Sequence, residues 1–222
     1  MTIEQKTPKG RATAAHILET ALELFRERGF EATSMRDIAA AAGKSLGAAY
    51  HYFASKDAIV AAYFEHTQFE HERRMAGFAD VSVAEHVTAA INTKLDIVER
   101  DRKLLAAQLA TLASPDHPLS LFASTTQDLR TRSIAVFARA FESSALDAAT
   151  QQLAAYAAWL LHLGVLLYFV HDDSEDATNT RRLATAMGTT LGQVAPLAAT
   201  PFARPLIEQA IALARELGID DV

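Results

Sequence analysis

Apolar residues return along this chain at intervals of three and four, and no stretch alternates β-branched with polar residues as a half-buried strand would. That periodicity restricts the chain to helices packed on helices, so the expected fold class is all-α. The spacing predicts a first helix over 11–28, with Ile17, Ala21, Leu24 and Phe25 on one buried face. Gly29 stops it, and Phe30 packs back beneath it. Thr33 or Ser34 caps a short helix over 35–42, with Asp37 in the first turn, where the helix dipole favours an acid. Gly43 ends that helix, and Ser45 caps a third, very short one reaching His51. Phe53 plugs the core, and Ser55 caps a fourth helix reaching residue 76. Further helices are predicted over 83–99, 101–113, 118–143, 150–171, 176–194 and 203–217, with breaks at 77–82, 114–118, 143–144, 172–176 and 196–201.

Two short helices joined by a tight glycine turn, with a helix before and after, form a helix-turn-helix pattern. In that arrangement the second short helix enters the major groove of DNA and the first lies across the phosphates. The residue types suit the task. Thr33, Ser34, Tyr50, Tyr52 and both helix N-termini can donate to phosphate oxygens, and Arg36, Lys44 and Lys56 supply charge. Lys56 stands in a first helical turn, where a cation opposes the dipole, so its use is sought elsewhere, on a phosphate. Gly47 costs about 1 kcal/mol against Ala inside a helix, yet with Ala48 and Ala49 it leaves a small-residue surface able to approach DNA closely. The competing readings are ordinary ones: Tyr50 and Tyr52 as core aromatics, and Arg36 paired with a surface acid.

The composition permits this use without demanding it. Half the residues are hydrophobic, enough for a packed core. The formal charge of −6 is unevenly spread: residues 1–56 hold eight Lys or Arg against six Asp or Glu, and the acidic excess lies beyond them. A slightly basic head on an acidic body can present one positive face. With no cysteine, disulfides, thiol nucleophiles and cysteine zinc sites are excluded, and a reducing compartment is suited. The first ten residues carry no apolar run of a secretory leader, so a cytoplasmic location is expected. The uncharged stretch 153–170 approaches the length of a membrane span, but it holds His162 and runs into Asp172 and Asp173 without flanking Lys or Arg. A buried core or interface helix is the better reading, and no membrane is expected as a partner.

The stretch from Ile17 to Val60 resembles the N-terminal domain of the tetracycline-repressor (TetR) family of bacterial regulators along its whole length. The resemblance rests on Gly29-Phe30, on Thr33 through Ala39, on the Ala42-Gly43 turn, and on Tyr50-His51-Tyr52-Phe53 followed by Ser55-Lys56-Asp57. It implies that Ser34, Tyr50, Tyr52 and Lys56 hold phosphates. It also implies that Arg36, Lys44, Ser45, Leu46, Gly47 and Ala48 lie near base edges or the adjacent backbone, with His51 beside them. Leu46 stands where members commonly carry a polar or charged residue, and Ala48 where many carry Thr or Ser, so a thymine methyl is their remaining direct contact. The organisation implied is a flexible arm over 1–9, a helix-turn-helix DNA-binding domain over 10–56, and a helical regulatory and dimerisation domain over 57–222.

Beyond Val60 the resemblance is one of helical content and length. Ala184, Gly188 and Gly192 recur every fourth residue and would let another helix approach closely, beside an apolar row that includes Met187 and Leu191. These five are the expected homodimer contacts, with intrachain packing as the alternative. Phe69, Gln108, Phe122, Trp159, His162 and Tyr168 are aromatic or polar residues on apolar helices and are candidates for a small-molecule pocket, against the plainer reading of each as core. His66 with His71 and His162 with His171 do not share helix faces, so no metal is expected, and no cofactor is implied. The expected function is a ligand-responsive transcriptional regulator, a repressor released from palindromic double-stranded operator DNA by an unidentified small-molecule effector. A sequence-neutral architectural DNA binder would want a broadly basic surface, which this body lacks. An enzyme would want a glycine-rich phosphate loop, a nucleophile motif or a metal cluster, none of which the sequence offers.

Overall fold

In a computed structural model that describes residues 7–78 and 80–216, the chain forms ten α-helices and, among the described residues, no strand. Packing divides it into two units. One holds the described residues up to Thr67 together with Glu99–Ala123; the other holds Gln68–Val98 together with the described residues from Ser124 onward.

In the first unit, α1 (Pro8–Arg28) starts three residues earlier than the sequence predicts, because Thr7 caps it and Pro8 suits a first helical position. Thr7 Oγ1 accepts from Gly10 N at 3.2 Å. Pro8 and Lys9 of the expected arm are therefore helical, and the arm's first six residues, with Lys6, lie outside the described ones. The helix ends at Gly29, at a φ of 89° that disfavours any other residue, and Phe30 turns back onto Phe25 with ring centroids 5.1 Å apart. α2 (Met35–Ala41), α3 (Leu46–Tyr52), the beginning of α4 (Lys56–Met75) and α6 (Arg102–Ala113) complete this unit. Its core joins Ile17, Phe25, Ile38, Ala49, Phe53, Ile59 and Tyr63 with Leu104 and Leu119. This core thus draws on more chain than residues 10–56. A helix from residue 118 does not form. Leu119 turns into this core instead, and its neighbours bond to the preceding turn, Leu121 N to Leu112 O and Ser120 N to His117 O, both at 2.9 Å.

The second unit contains the end of α4, α5 (Val83–Val98), α7 (Gln127–Ala138), α8 (Ala148–His171), α9 (Thr178–Ala198) and α10 (Arg204–Glu216). Asp172 shapes the turn from α8 into α9: its carboxylate accepts from Ser174 Oγ at 2.7 Å and from Thr180 Oγ1 at 2.6 Å. α9 runs through Pro196 where a break is expected, because a proline in the last turn forfeits a single intrahelical bond. α8 is long and apolar enough to cross a membrane by length and composition; it packs instead against α7 and α9.

The small-residue stripe of α9 corrects the expected dimer contact. Gly188 and Gly192 face α5 of the same chain, and Ala184 is fully buried. A Cβ at Gly188 would fall 2.1 Å from Thr88 Oγ1 and 2.7 Å from Ala84 O, and one at Gly192 2.9 Å from Ala84 Cβ. Close approach of two helices is what these residues permit, but the partner helix is intrachain. Met187 and Leu191 are half-buried. Exposed apolar side chains stand on α8 at Leu160, Leu161, Leu167 and Tyr168, and on α9 at Val194 and Leu197.

Candidate nucleic-acid interface

Local capping fixes the two short helices. Ser34 and Asp37 form a reciprocal capping box: Asp37 N donates to Ser34 Oγ at 3.2 Å, and Ser34 N to Asp37 Oδ2 at 2.9 Å. The same Ser34 bonds hold the Asp37 carboxyl below its usual range, so it stays ionised at the start of α2. α2 ends in a Schellman turn. Lys44 N reaches Ala39 O at 2.8 Å and Gly43 N reaches Ala40 O at 3.1 Å, with Gly43 at a φ of 63°. Ser45 then opens α3 by accepting from Ala48 N at 3.1 Å. The turn therefore presents Lys44 and Ser45 at the N-terminus of α3.

Much of the predicted surface is arranged as expected from these caps. Ser34, Arg36, Lys44, Ser45, Gly47, Tyr50 and His51 are exposed, while Ala49 behind them is fully buried and holds α3 to the core. Among the described residues the side chains of Arg36 and Lys44 make no hydrogen bond or ion pair. A Cβ at Gly47 would meet nothing within 4 Å, so nothing inside the chain calls for glycine there. Ala48 is half-buried, and Leu46 and Tyr52 pack partly against the core, Tyr52 edge-on to His51 at 5.2 Å.

Two assignments change. Thr33 is interior, 1% exposed, and its hydroxyl donates to Gly29 O at 2.8 Å; it closes the α1–α2 turn and does not face outward. Lys56 is not an unused cation. Its Nζ donates to Phe30 O at 2.7 Å and lies 4.2 Å from the Phe30 ring centroid. Those contacts offset the unfavourable dipole that marked Lys56 in the sequence, and its remaining N–H groups stay available for a phosphate.

The six effector candidates do not form one set. Gln108 and Phe122 belong to the first unit and the other four to the second. Phe69, Phe122 and Tyr168 are exposed, at 59%, 61% and 44%, so they line no interior pocket of their unit. Gln108, Trp159 and His162 are buried, and the amide atoms of Gln108 and both ring nitrogens of His162 have no hydrogen-bond partner.

Two buried polar groupings escape the sequence reading. In the first unit, Arg26 Nε donates to Asp101 Oδ1 at 2.6 Å and Tyr63 Oη to Asp101 Oδ2 at 3.0 Å, tying α1 and α4 to the start of α6. These partners are too distant in sequence for any local pattern to pair them. In the second unit, Gln68, His71 and Lys94 are buried. Lys94 did leave a signal, since it occupies a core position in the α5 stripe of Val87, Ala90, Ile91, Leu95 and Val98.

Comparison with known proteins agrees with this architecture. Residues 17–63 match the family described as "Bacterial regulatory proteins, tetR family", and residues 86–211 match "Tetracyclin repressor-like, C-terminal domain". An HTH-type transcriptional repressor of Mycobacterium tuberculosis is 36% identical over 101 residues, 43% of this chain and 54% of that protein. The repressor KstR2 of Rhodococcus jostii is 51% identical over 51 residues, 23% of this chain and 24% of that protein. The alignment thus spans about half, or less, of the curated relatives it matches. Salmonella enterica GusR superposes with a TM-score of 0.64 at 23% identity, over 86% of this chain and 98% of that one. A TetR regulator from Nitrosomonas europaea superposes at 0.61 and 23% identity, over 81% and 98%. At that identity the solved structures speak for the fold. The two sequence matches together cover the helix-turn-helix and most of the helical body, and on them the chain belongs to the TetR family of bacterial transcriptional regulators.

Proposed function

We propose that this chain is a cytoplasmic, ligand-responsive repressor that binds a palindromic operator as a homodimer and is released by a small-molecule effector. The observation that carries the reading is the outward face of α3 and its turn. The side chains of Arg36 and Lys44 have no hydrogen-bond or ion-pair partner among the described residues, and a Cβ at Gly47 would meet none of them. Such a face suits phosphate anchoring and close approach to a groove. Repression is the sign supported by the relatives named repressors.

A helix-turn-helix of this kind reads two half-sites about one helical turn apart, which calls for two copies. The open apolar face of α8 around Leu160, Leu161, Leu167 and Tyr168, extended by Val194 and Leu197, supports pairing by that surface. Met187 and Leu191, half-buried on α9, are candidates for its edge. The effector acts by binding one of two dimer states better than the other, with a coupling of about 1–3 kcal/mol. α4 is the natural carrier of the signal, since Lys56 lies in its first turn and Gln68 and His71 towards its end.

Fluorescence anisotropy on the intergenic DNA flanking its own gene, against a scrambled duplex, tests the reading. Salt-sensitive, sequence-preferring binding with dimer stoichiometry supports it. Equal affinity for both duplexes overturns sequence-specific repression.

A further inference from the structure

The second unit buries a lysine without an acid of its own. Lys94 is 7% exposed, and its one hydrogen bond among the described residues runs to a neutral amide, Gln68 Oε1, at 3.2 Å. The carboxylate whose charge acts on it, Glu72, makes its direct contacts elsewhere. Arg132 Nε reaches Glu72 Oε1 at 2.9 Å and Arg132 Nη2 reaches Oε2 at 3.3 Å, while Gln68 Nε2 donates to Oε1 at 3.1 Å. Asp128, the other acid on Arg132, is solvent-exposed at 3.4 Å. The relay Lys94–Gln68–Glu72–Arg132 therefore orients the ammonium but gives it no direct carboxylate contact among the described residues.

Two histidines feel its charge, and one of them bonds Ala90 O, a helical turn before Lys94 on α5. His71 is fully buried; its Nε2–H donates to Ala90 O at 2.9 Å, and its Nδ1 has no partner. His162 is 2% exposed, and neither ring nitrogen has a partner. The two rings lie 6.4 Å apart, and Phe137 stands 5.2 Å from His162 and 6.5 Å from His71 as an apolar wall. Burial, reinforced by the Lys94 charge, pushes His71 down to about 3 and His162 well below its ordinary value, so both rings are neutral and His162 offers a single N–H. Burial also lowers Lys94 to about 7, as an amine in need of a counter-ion would be.

We propose that the effector is a small carboxylic acid with an apolar body, its carboxylate received by the Lys94 ammonium and the His162 ring N–H. One cation and one neutral donor match two oxygens carrying one negative charge; a phosphate dianion would leave charge over, and an amide or alcohol would leave the ammonium unmatched. The assignment rests on the effector-responsive reading above.

The test uses the full-length protein with straight-chain monocarboxylates from acetate to dodecanoate, each paired with its primary amide, followed by thermal shift and by release of labelled operator. At least one acid should raise Tm and release DNA, with its amide weaker by roughly tenfold or more. Lys94→Met and His162→Phe should each erase the preference for acid. Equal action of acid and amide, no response to any acid, or a Lys94→Met protein that keeps the preference overturns the proposal. Should Lys94→Met fail to fold, the wild-type ratio and His162→Phe decide. Operator binding without added acid is read in parallel: its absence fails the repressor reading, whereas intact operator binding with no acid effect fails the effector class alone.

Discussion

Lys44 and Lys56 are both cations near α3, yet they differ in what the fold asks of them. The Lys44 side chain bonds nothing among the described residues, whereas Lys56 is fastened to the Phe30 carbonyl and lies beside its ring. Lys44→Ala should therefore weaken operator binding and lower the salt slope by about one unit with Tm unchanged. Lys56→Ala should do the same to binding and also cost about 1 kcal/mol of stability. Paired anisotropy and thermal melts check this, and equal Tm losses would contradict the distinction. Gly47→Ala should separate the two properties in the opposite sense. With open space for a Cβ, it should stabilise the fold by about 0.5–1 kcal/mol while reducing operator affinity; unchanged affinity would remove Gly47 from the interface. At this scale the sequence disclosed the motif through its caps and turns, because Ser34, Asp37, Gly43 and Ser45 act on neighbours three to five residues away. It did not disclose that Lys56 bonds Phe30, since that pairing depends on chain brought together by folding, nor that Thr33 turns inward, because a threonine beside a capping serine suits either the cap or the bond back to Gly29 O that it makes.

At the scale of helices, the α5–α9 pair separates what a sequence pattern carries from what it omits. The four-residue spacing of Ala184, Gly188 and Gly192 states that another backbone comes close, but it carries no label for which one. The structure assigns α5, with Ala84 and Thr88 opposite the glycines. Gly188→Ala should thus lower stability by about 1–3 kcal/mol, because Thr88 can rotate aside but the Ala84 carbonyl belongs to the backbone. Urea denaturation measures it, and a loss below a few tenths of a kcal/mol would show that α9 can slide away from α5. The missed break at Pro196 and the absent helix at 118 share a cause: turn residues give local preference, while the surrounding bonds and burial decide.

At the scale of the whole molecule, the open apolar face of α8 and the buried bases set two further outcomes. Leu167→Glu should shift the protein from dimer to monomer in sedimentation and weaken operator binding at least about tenfold, since a charge would be placed in the proposed contact; a dimer that persists would move the interface elsewhere. The second outcome concerns pH. His71, lowered to about 3, and His162, lowered well below its ordinary value by burial, each bind a proton more readily in the unfolded chain. Their contribution is therefore complete above the unfolded value of 6.5 and is lost as pH falls towards their folded values. Lys94, lowered from 10.5 to about 7, adds a contribution that grows as pH rises across that window. Carboxylates held low, such as Asp172 and Asp147, are felt only below about 4.5. Tyr63, kept protonated by burial and Asp101, opposes the rise above about 10, where the unfolded phenol ionises first. Tm should accordingly climb from about pH 4.5 through 7, climb further towards 9, and turn over beyond 10. The lower limb belongs to the histidines, His86 included, since burial lowers it too, so a His71→Phe, His162→Phe double variant should make that limb shallower while keeping the upper one. A wild-type curve level between about pH 4.5 and 7, or a double variant with an unaltered lower limb, would mean that the two rings are not held neutral by burial.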